Sequence, residues 1–427
     1  MSGQSAPAAG VPAADLKVVL RVVAVGSVDD GKSTLIGRLL YDSESLLQDQ
    51  IDAVARASRR RGEEELDLSL LTDGLIDERE QGITIDVAYR YFATPRRKFI
   101  LADVPGHEQY TRNMATGAST ADLGVVVVDA QKGMTRQSRR HLYLLRLFGV
   151  GRVIVAVNKM DLVDYAQEVF TALRAELEAF ARRIGLEEVR AVPVSAKSGD
   201  NVVHPSIHMP WHAGPPLLEV LESAPLEAGR EIGPLRFPVQ GVVRPGAGVP
   251  FRLYLGQLKS GAARPGDEVV VHPGGLRSRV REVRASGGPL EEAAVPQSVM
   301  IALEDEIDVA RGSLIASAEE PPRVSDELNA LVFWMAEKPL DPRRAYLLKI
   351  GARVERAKVL AVHARIDVDS LAEEAGGAIG LNDIARVALR VQSPVAHDLY
   401  AENRATGAFI LIDPDTNDTV GGGTISL

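Results

Sequence analysis

The stretch G-S-V-D-D-G-K-S, Gly26 to Ser33, followed by Thr34, decides the fold. It fits G-x-x-x-x-G-K-[ST], a phosphate-binding loop that needs a strand before it and a helix after it. The flanks supply both. Val18 to Val25 is an apolar, β-branched run, and Lys32 to Tyr41 places Leu35, Ile36, Leu39 and Leu40 on one helical face. Gly26 and Gly31 let the backbone of Ser27, Val28, Asp29 and Asp30 wrap an anion, with N–H groups and the helix N-terminus turned toward it. Lys32 can reach β- and γ-phosphates, and the Ser33 hydroxyl can hold Mg²⁺.

Outward from the loop, strand and helix signals alternate. Asp86 to Phe92 and Lys98 to Asp103 read as strands joined by a turn at Thr94-Pro95-Arg96-Arg97. Leu123 to Asp129 and Arg152 to Asn158 are valine-rich runs suited to strands covered on both faces. Helices are expected at about Arg136 to Leu147 and Tyr165 to Ile184. This alternation predicts a doubly wound α/β domain. After about Ser223, Gly and Pro become frequent and strands short. Asp267 to His272 is one strand. In another, Ala385, Val387, Leu389 and Val391 alternate with Arg386, Ala388 and Arg390. Such segments suit barrels or sandwiches, with Glu319 to Val324 as the linker between two of them.

Four further motifs carry chemistry. D-V-P-G-H runs over Asp103, Val104, Pro105, Gly106 and His107. Asp103 can hold Mg²⁺ through its water, Gly106 can offer its N–H to a γ-phosphate, and His107 can orient the attacking water. N-K-M-D spans Asn158, Lys159, Met160 and Asp161. Guanine presents N1–H and its N2 amine side by side, and the Asp161 carboxylate can accept both; adenine would leave it unpaired. Asn158 can bond the purine's other edge, and Lys159 can lie along the ring and brace the phosphate loop. S-A-K, Ser195, Ala196 and Lys197, follows a strand at about Arg190 to Val194, and its backbone can approach the guanine oxygen. E-R-E-Q-G-I-T-I, Glu78 to Ile85, places Thr84 to coordinate Mg²⁺ and to report loss of the γ-phosphate. Ile83 and Val28 can form an apolar gate over His107. The residues therefore predict GTP and Mg²⁺ as ligands, with His107, Lys32 and Thr84 serving hydrolysis. The insertion between Ser33 and Thr84 carries Arg59-Arg60-Arg61 and Glu63-Glu64-Glu65, read as a solvated helix end.

The chain has 427 residues, 45% hydrophobic and 25% charged, enough for two or three domains. It has no cysteine, which excludes disulfides and thiolate chemistry and suits a cytoplasmic protein. A net charge of -9 speaks against a nucleic-acid partner. No apolar run reaches the roughly 20 residues of a membrane helix, so no membrane partner is expected.

The motifs resemble the translation-factor class of GTPases, through Asp103 to His107 and R-P-G-D at Arg264 to Asp267. More specifically the chain resembles the GTPase (large) subunit of ATP sulfurylase, sulfate adenylyltransferase subunit 1. The matching segments include G-S-V-D-D-G-K-S-T-L-I-G-R-L-L-Y-D-S from Gly26, L-T-D-G-L from Leu71 and P-G-H-E-Q-Y-T-R-N-M from Pro105. N-K-M-D-L-V-D-Y from Asn158, L-R-F-P-V-Q from Leu235, L-E-D-E-I-D-V from Leu303 and T-G-A-F-I-L-I-D from Thr406 also match. The resemblance implies an α/β P-loop GTPase domain followed by two all-β barrel domains. The expected division is a disordered lead-in over 1–15, the GTPase domain over 16–228, and barrels over 229–320 and 321–427. It implies a smaller catalytic partner subunit that makes adenosine 5′-phosphosulfate and pyrophosphate from ATP and sulfate, driven by GTP hydrolysis on this chain. No second phosphate loop is present, so no adenylylsulfate kinase activity is expected. Gly241 to Val249 departs from the family's pattern, as does Val104 where Thr is common. Two other readings share the nucleotide motifs: an elongation-factor-like GTPase delivering aminoacyl-tRNA, and a regulatory switch that drives no chemistry. Elongation factor Tu resembles G-H-V-D-H-G-K-T in its first loop, where this chain has Ser27, Asp30 and Ser33.

Overall fold

Valine-rich runs covered on both sides form the centre of the first sheet. In the computed structural model, residues 19–46, 48–60, 66–71, 84, 86–186, 188–225, 233–244, 246 and 250–427 are described. The lead-in over 1–15, Ile83, the rest of Glu78 to Ile85 except Thr84, the 61–65 charge run and the boundary near 228 lie outside them. Gly241 to Val249 is described only in part. The described residues fall into two compact units, one within 1–141 and 150–225, the other within 142–149 and 226–427.

The first unit holds a six-stranded sheet. Its strands are β1 (Val19–Gly26), β2 (Ala88–Ala93), β3 (Lys98–Asp103), β4 (Leu123–Asp129), β5 (Arg152–Asn158) and β6 (Glu188–Pro193). They lie in the order β2-β3-β1-β4-β5-β6. All neighbours are parallel except β2, which runs antiparallel to β3. Every residue of β4 is buried, as its apolar run requires. The helices are α1 (Lys32–Asp42), α2 (Gln48–Arg60), α3 (Thr111–Ala118), α4 (Arg136–Leu147, of which the residues from Leu142 on are counted in the second unit), α5 (Gln167–Arg183) and α6 (Leu217–Ser223). The predicted buried face of α1 is present: Leu35, Ile36, Leu39 and Leu40 are all in the core. Because β1 lies between β3 and β4, the chain leaves it in one direction and returns on both sides. The crevice at the carboxyl ends of such strands is where ligands bind in open α/β sheets.

The second unit contains two antiparallel sheets, each closed on itself. β7 (Arg236–Val243), β8 (Leu253–Gln257), β10 (Glu268–His272), β11 (Leu276–Ala285), β14 (Ser298–Leu303) and β15 (Leu314–Ser317) form one ring, closed by β10 pairing with β11. Its short accessories are β9 (Ala262–Ala263), β12 (Gly288–Leu290) and β13 (Ala293–Ala294). β16 (Arg323–Trp334), β17 (Ala345–Ile350), β18 (Arg353–Ile366), β20 (Ile384–His397), β21 (Ala408–Ile412) and β22 (Thr419–Ser426) form the other, closed by β17 with β18 and extended by β19 (Glu373–Ala375). Closure removes the exposed edges an open sheet would present. Phe237, Tyr254 and Ile301 fill the first barrel, and Trp334, Leu348 and Leu389 fill the second. The expected linker is shorter than predicted, because Arg323 and Val324 already pair in β16. Arg236, 4% exposed, joins the barrels with two bonds of 2.9 Å to the two oxygens of buried Asp398.

Candidate functional site

Four of the five motifs sit at the carboxyl edge of the sheet, and of the fifth the described Thr84 meets them there through Lys32. β1 ends in the phosphate loop, β3 at Asp103, β5 at Asn158, and β6 runs into Ser195. Parallel strands deliver their carboxyl ends to the same side, so the loops converge although up to 169 residues separate Gly26 from Ser195.

Two glycines are required by close approach. Gly31 adopts a left-handed φ of +86°, and a Cβ there would lie 2.3 Å from Asn158 Nδ2. A Cβ on Gly106 would lie 2.3 Å from the Gly26 carbonyl oxygen. The second contact sets the D-V-P-G-H loop directly on the phosphate loop.

Lys32 is the meeting point of three motifs. It is 6% exposed, and its Nζ donates to the Asp103 carboxylate and, at 3.0 Å, to Thr84 Oγ1. Asp103 is fully buried, and its other oxygen, Oδ2, has no hydrogen-bond partner among the described residues. A buried carboxylate oxygen left over, on the residue that shares Lys32 with the Thr84 hydroxyl, is a hard-oxygen donor of the kind that fits Mg²⁺. His107 is half-buried; its Nδ1 accepts the Gln109 amide at 3.3 Å. Val28 is exposed, while its proposed gate partner Ile83 lies outside the described residues.

The base-recognition motifs form a connected network. Ser195 Oγ donates to Asp161 Oδ1 at 2.7 Å, turning the carboxylate. Asn158, 2% exposed, makes two bonds that its motif did not foretell. Its Nδ2 donates to the Asp30 carbonyl at 2.8 Å and its Oδ1 accepts the Ala196 amide at 2.9 Å. The side chain ties the phosphate loop to the S-A-K loop, and its amide nitrogen carries a second N–H beyond the one given to Asp30. Lys159 sits beside Gly31, as expected of a brace, with its Nζ 2.9 Å from Asp129 Oδ2. Burial opposes ionisation of Asp129, but hydrogen bonds from Lys159 and the Gln131 amide hold its carboxyl below the ordinary value. Val104 and Met160, both 0% exposed, are core residues, and only their backbones can face the site. Pro105 and Ala196 are also buried; Ser27, Ser33 and Thr34 are half-buried, and Asp29 and Lys197 are exposed.

Sequence reasoning missed the loop after β4. Lys132 Nζ donates to the Val28 carbonyl at 3.4 Å and lies 3.8 Å from Asp30 Oδ1. Thr135 Oγ1 lies 3.2 Å from Ser27 Oγ. Burial raises the pKa of Asp30, against the Ser27 amide and Lys132, which lower it. Gln137 Nε2 donates to Gly106 O at 3.3 Å and lies 3.0 Å from His141 Nε2. Burial, aided by Arg140 and Lys32, pushes the His141 imidazole down to about 3, so it is neutral. The position of this loop at the carboxyl end of β4 was the available signal.

The family model described as elongation factor Tu GTP binding domain matches residues 17–226, and one described as GTP-eEF1A C-terminal domain-like matches residues 327–426. The bifunctional enzyme CysN/CysC of Mycobacterium tuberculosis (strain ATCC 25618 / H37Rv) is 50% identical over 414 residues, covering 96% of this chain and 67% of that protein. Sulfate adenylyltransferase subunit 1 of Laribacter hongkongensis is 49% identical over 414 residues, 96% of this chain and 86% of that protein. The subunit 1 of Methylorubrum populi is 49% identical over 411 residues, covering 96% and 87%. Among the described residues, no helix is long and apolar enough to cross a membrane. A phosphate loop, an elongation-factor-type GTP-binding domain and identity near one half along almost the whole chain have one meaning: the chain belongs to the sulfate adenylyltransferase subunit 1 family, whose members carry a GTPase domain and serve a nucleotidyltransferase.

Proposed function

We propose that this chain, with a GTPase domain over 16–228 and barrels over 229–320 and 321–427, hydrolyses GTP to drive synthesis of adenosine 5′-phosphosulfate. That synthesis, from ATP and sulfate, takes place on a separate small catalytic subunit in the cytoplasm. The observation that carries the site assignment is the Lys32 ammonium, which draws together the phosphate loop, Asp103 and Thr84. Lys32 binds the β- and γ-phosphates, and the Gly106 N–H meets the γ-phosphate. His107 orients the attacking water, and Asp161 accepts guanine N1–H and the N2 amine. Ser33, Thr84 and, through water, Asp103 are the residues that would hold Mg²⁺. When bound, that ion neutralises charge on the β- and γ-phosphate oxygens. A phosphate–sulfate anhydride is formed uphill, so a coupled hydrolysis has a thermodynamic task.

The coupling is tested by combining this chain with the small subunit, ATP and sulfate, and following sulfate-dependent pyrophosphate release. GTP should raise the amount released and be consumed with it, whereas a β,γ-imido analogue of GTP should not sustain it. Release indifferent to GTP would overturn the coupling. Equal support by the analogue would reduce the chain to a binding switch.

Gly106→Ala tests the contact between the two loops. The added Cβ meets only backbone, at Gly26 O, Ser27 C and Val28 N, so no side chain can swing away. A displacement of about 1 Å at the reacting phosphate can cost on the order of a hundredfold. Single-turnover GTP hydrolysis should fall by about that factor while GDP affinity changes little. An unchanged rate would show that the loop does not carry the catalytic geometry.

A further inference from the structure

The S-A-K loop is held from three sides. Asp161 takes the Ser195 hydroxyl and Asn158 takes the Ala196 amide. The third side is Arg38 on α1, about one and two-thirds turns beyond Lys32. Its Nε donates to Ala196 O at 3.1 Å, and its Nη2 donates to Lys197 O. Its Nη1 lies 3.5 Å from Asp42 Oδ1, and its stem lies against Gly199, where a Cβ would meet Arg38 Cδ at 3.5 Å.

The amides of this loop are nearly all spent inside the protein. Ala196 N donates to Asn158 Oδ1, Ser198 N to Ser195 Oγ at 3.3 Å, and Gly199 N to Ser195 O at 2.8 Å. The Lys197 N–H donates to no acceptor among the described residues. It shares a peptide plane with the Ala196 carbonyl. In a trans peptide the C=O and N–H point to opposite sides, so a guanidinium that holds the oxygen also aims the hydrogen. The same bond polarises the amide and strengthens what it donates. A planar guanidinium can serve two neighbouring carbonyls and a carboxylate together; an ammonium on a flexible stem cannot fix both planes.

We infer that Arg38 is a positioning residue for base specificity: by holding the Ala196 and Lys197 carbonyls it aims the Lys197 N–H at the purine 6-oxygen. It also ties the base-reading loop to the helix that carries Lys32. The inference rests on the proposed reading of the S-A-K loop as the wall facing guanine O6.

The test compares GTP, 6-thio-GTP and ITP. The thio analogue keeps N1–H and the N2 amine and replaces O6 with sulfur, a weak acceptor. ITP keeps O6 and lacks the amine that Asp161 reads. The wild-type chain should prefer GTP to 6-thio-GTP by about tenfold, the worth of one hydrogen bond. Arg38→Ala should weaken GTP by about tenfold and the thio analogue by under about twofold, so that this preference collapses. Its preference for GTP over ITP should persist. Arg38→Lys should fall between the two. A variant that loses affinity equally for all three nucleotides would make Arg38 merely structural and overturn the inference, as would one that keeps the thio preference. A wild-type chain that fails to distinguish GTP from 6-thio-GTP would instead overturn the loop's assignment to O6.

Discussion

Replacing Lys32 by alanine is expected to abolish GTP binding at any practical nucleotide concentration. The ammonium would face two phosphates, and each hydrogen bond to a charged group is worth about 1.5–3 kcal/mol, so affinity should fall by roughly a thousandfold. A second effect runs beside it. Asp103 is 0% exposed and Lys32 is its ion-pair partner. Removing one partner of a buried pair costs about 3–5 kcal/mol, a large part of a typical 5–15 kcal/mol stability. Lost binding could then reflect lost folding. The pair Lys32→Ala/Asp103→Asn separates the two, because the asparagine leaves no stranded charge. Its melting temperature should recover most of the deficit of Lys32→Ala, while GTP titrations stay flat. Asp103→Asn alone keeps the ammonium and should bind GTP far better than the pair. Equal binding by those two proteins would assign the loss to the carboxylate and remove Lys32 from its role.

Local patterns made some features of the molecule visible in its sequence and hid others. β4 and β5 run over Leu123–Asp129 and Arg152–Asn158, as predicted, because a strand covered on both faces is a continuous apolar run with polar ends. The β20 alternation was also legible: Ala385, Val387, Leu389 and Val391 are buried in the second barrel. Its length was not. The strand continues to His397 past Pro394, which ordinarily ends a strand. The register with β16 slips between Ser325 and Glu327, opposite this stretch, and a bulge tolerates a residue that cannot donate to the ladder. α2, over Gln48–Arg60, was foreshadowed only by its charged end. In the site, the motifs picked out segments that the fold brings together but not their mutual wiring. The bracing by Asn158 was hidden because its partners, Asp30 and Ala196, lie 128 and 38 residues away. Arg38 carries no motif signal, since its acceptors are 158 and 159 residues distant. No periodicity records such pairings.

Asp161→Asn should convert the preference for guanine into one for xanthine nucleotides. A carboxylate has only acceptors and guanine offers two neighbouring donors, N1–H and the N2 amine. Xanthine keeps N1–H and presents a carbonyl oxygen where guanine has the amine, so it needs one acceptor and one donor. An amide supplies that pair. Which way the amide turns is decided by Ser195. Its hydroxyl donates to Asp161 Oδ1 at 2.7 Å, and it already accepts the Ser198 amide. The asparagine oxygen should keep the Ser195 bond, leaving Nδ2 in the place of Oδ2. The amide nitrogen then faces the purine as a donor. Against guanine two donors meet, and leaving a buried polar pair unmatched costs about 1–3 kcal/mol on each side of the comparison. GTP affinity should therefore fall by about a hundredfold and XTP affinity rise by a similar factor. Because the substitution leaves the phosphate loop, Asp103 and Thr84 in place, XTP hydrolysis by the variant should approach the wild-type rate with GTP. Competition of both nucleotides against a fluorescent GDP analogue reads the two affinities together. Ser195→Ala supplies the complementary check. Without the hydroxyl the Asp161→Asn amide is free to turn, and the preference for xanthine should shrink. If Asp161→Asn still selected GTP over XTP, the Asp161 carboxylate would not be the group that reads guanine.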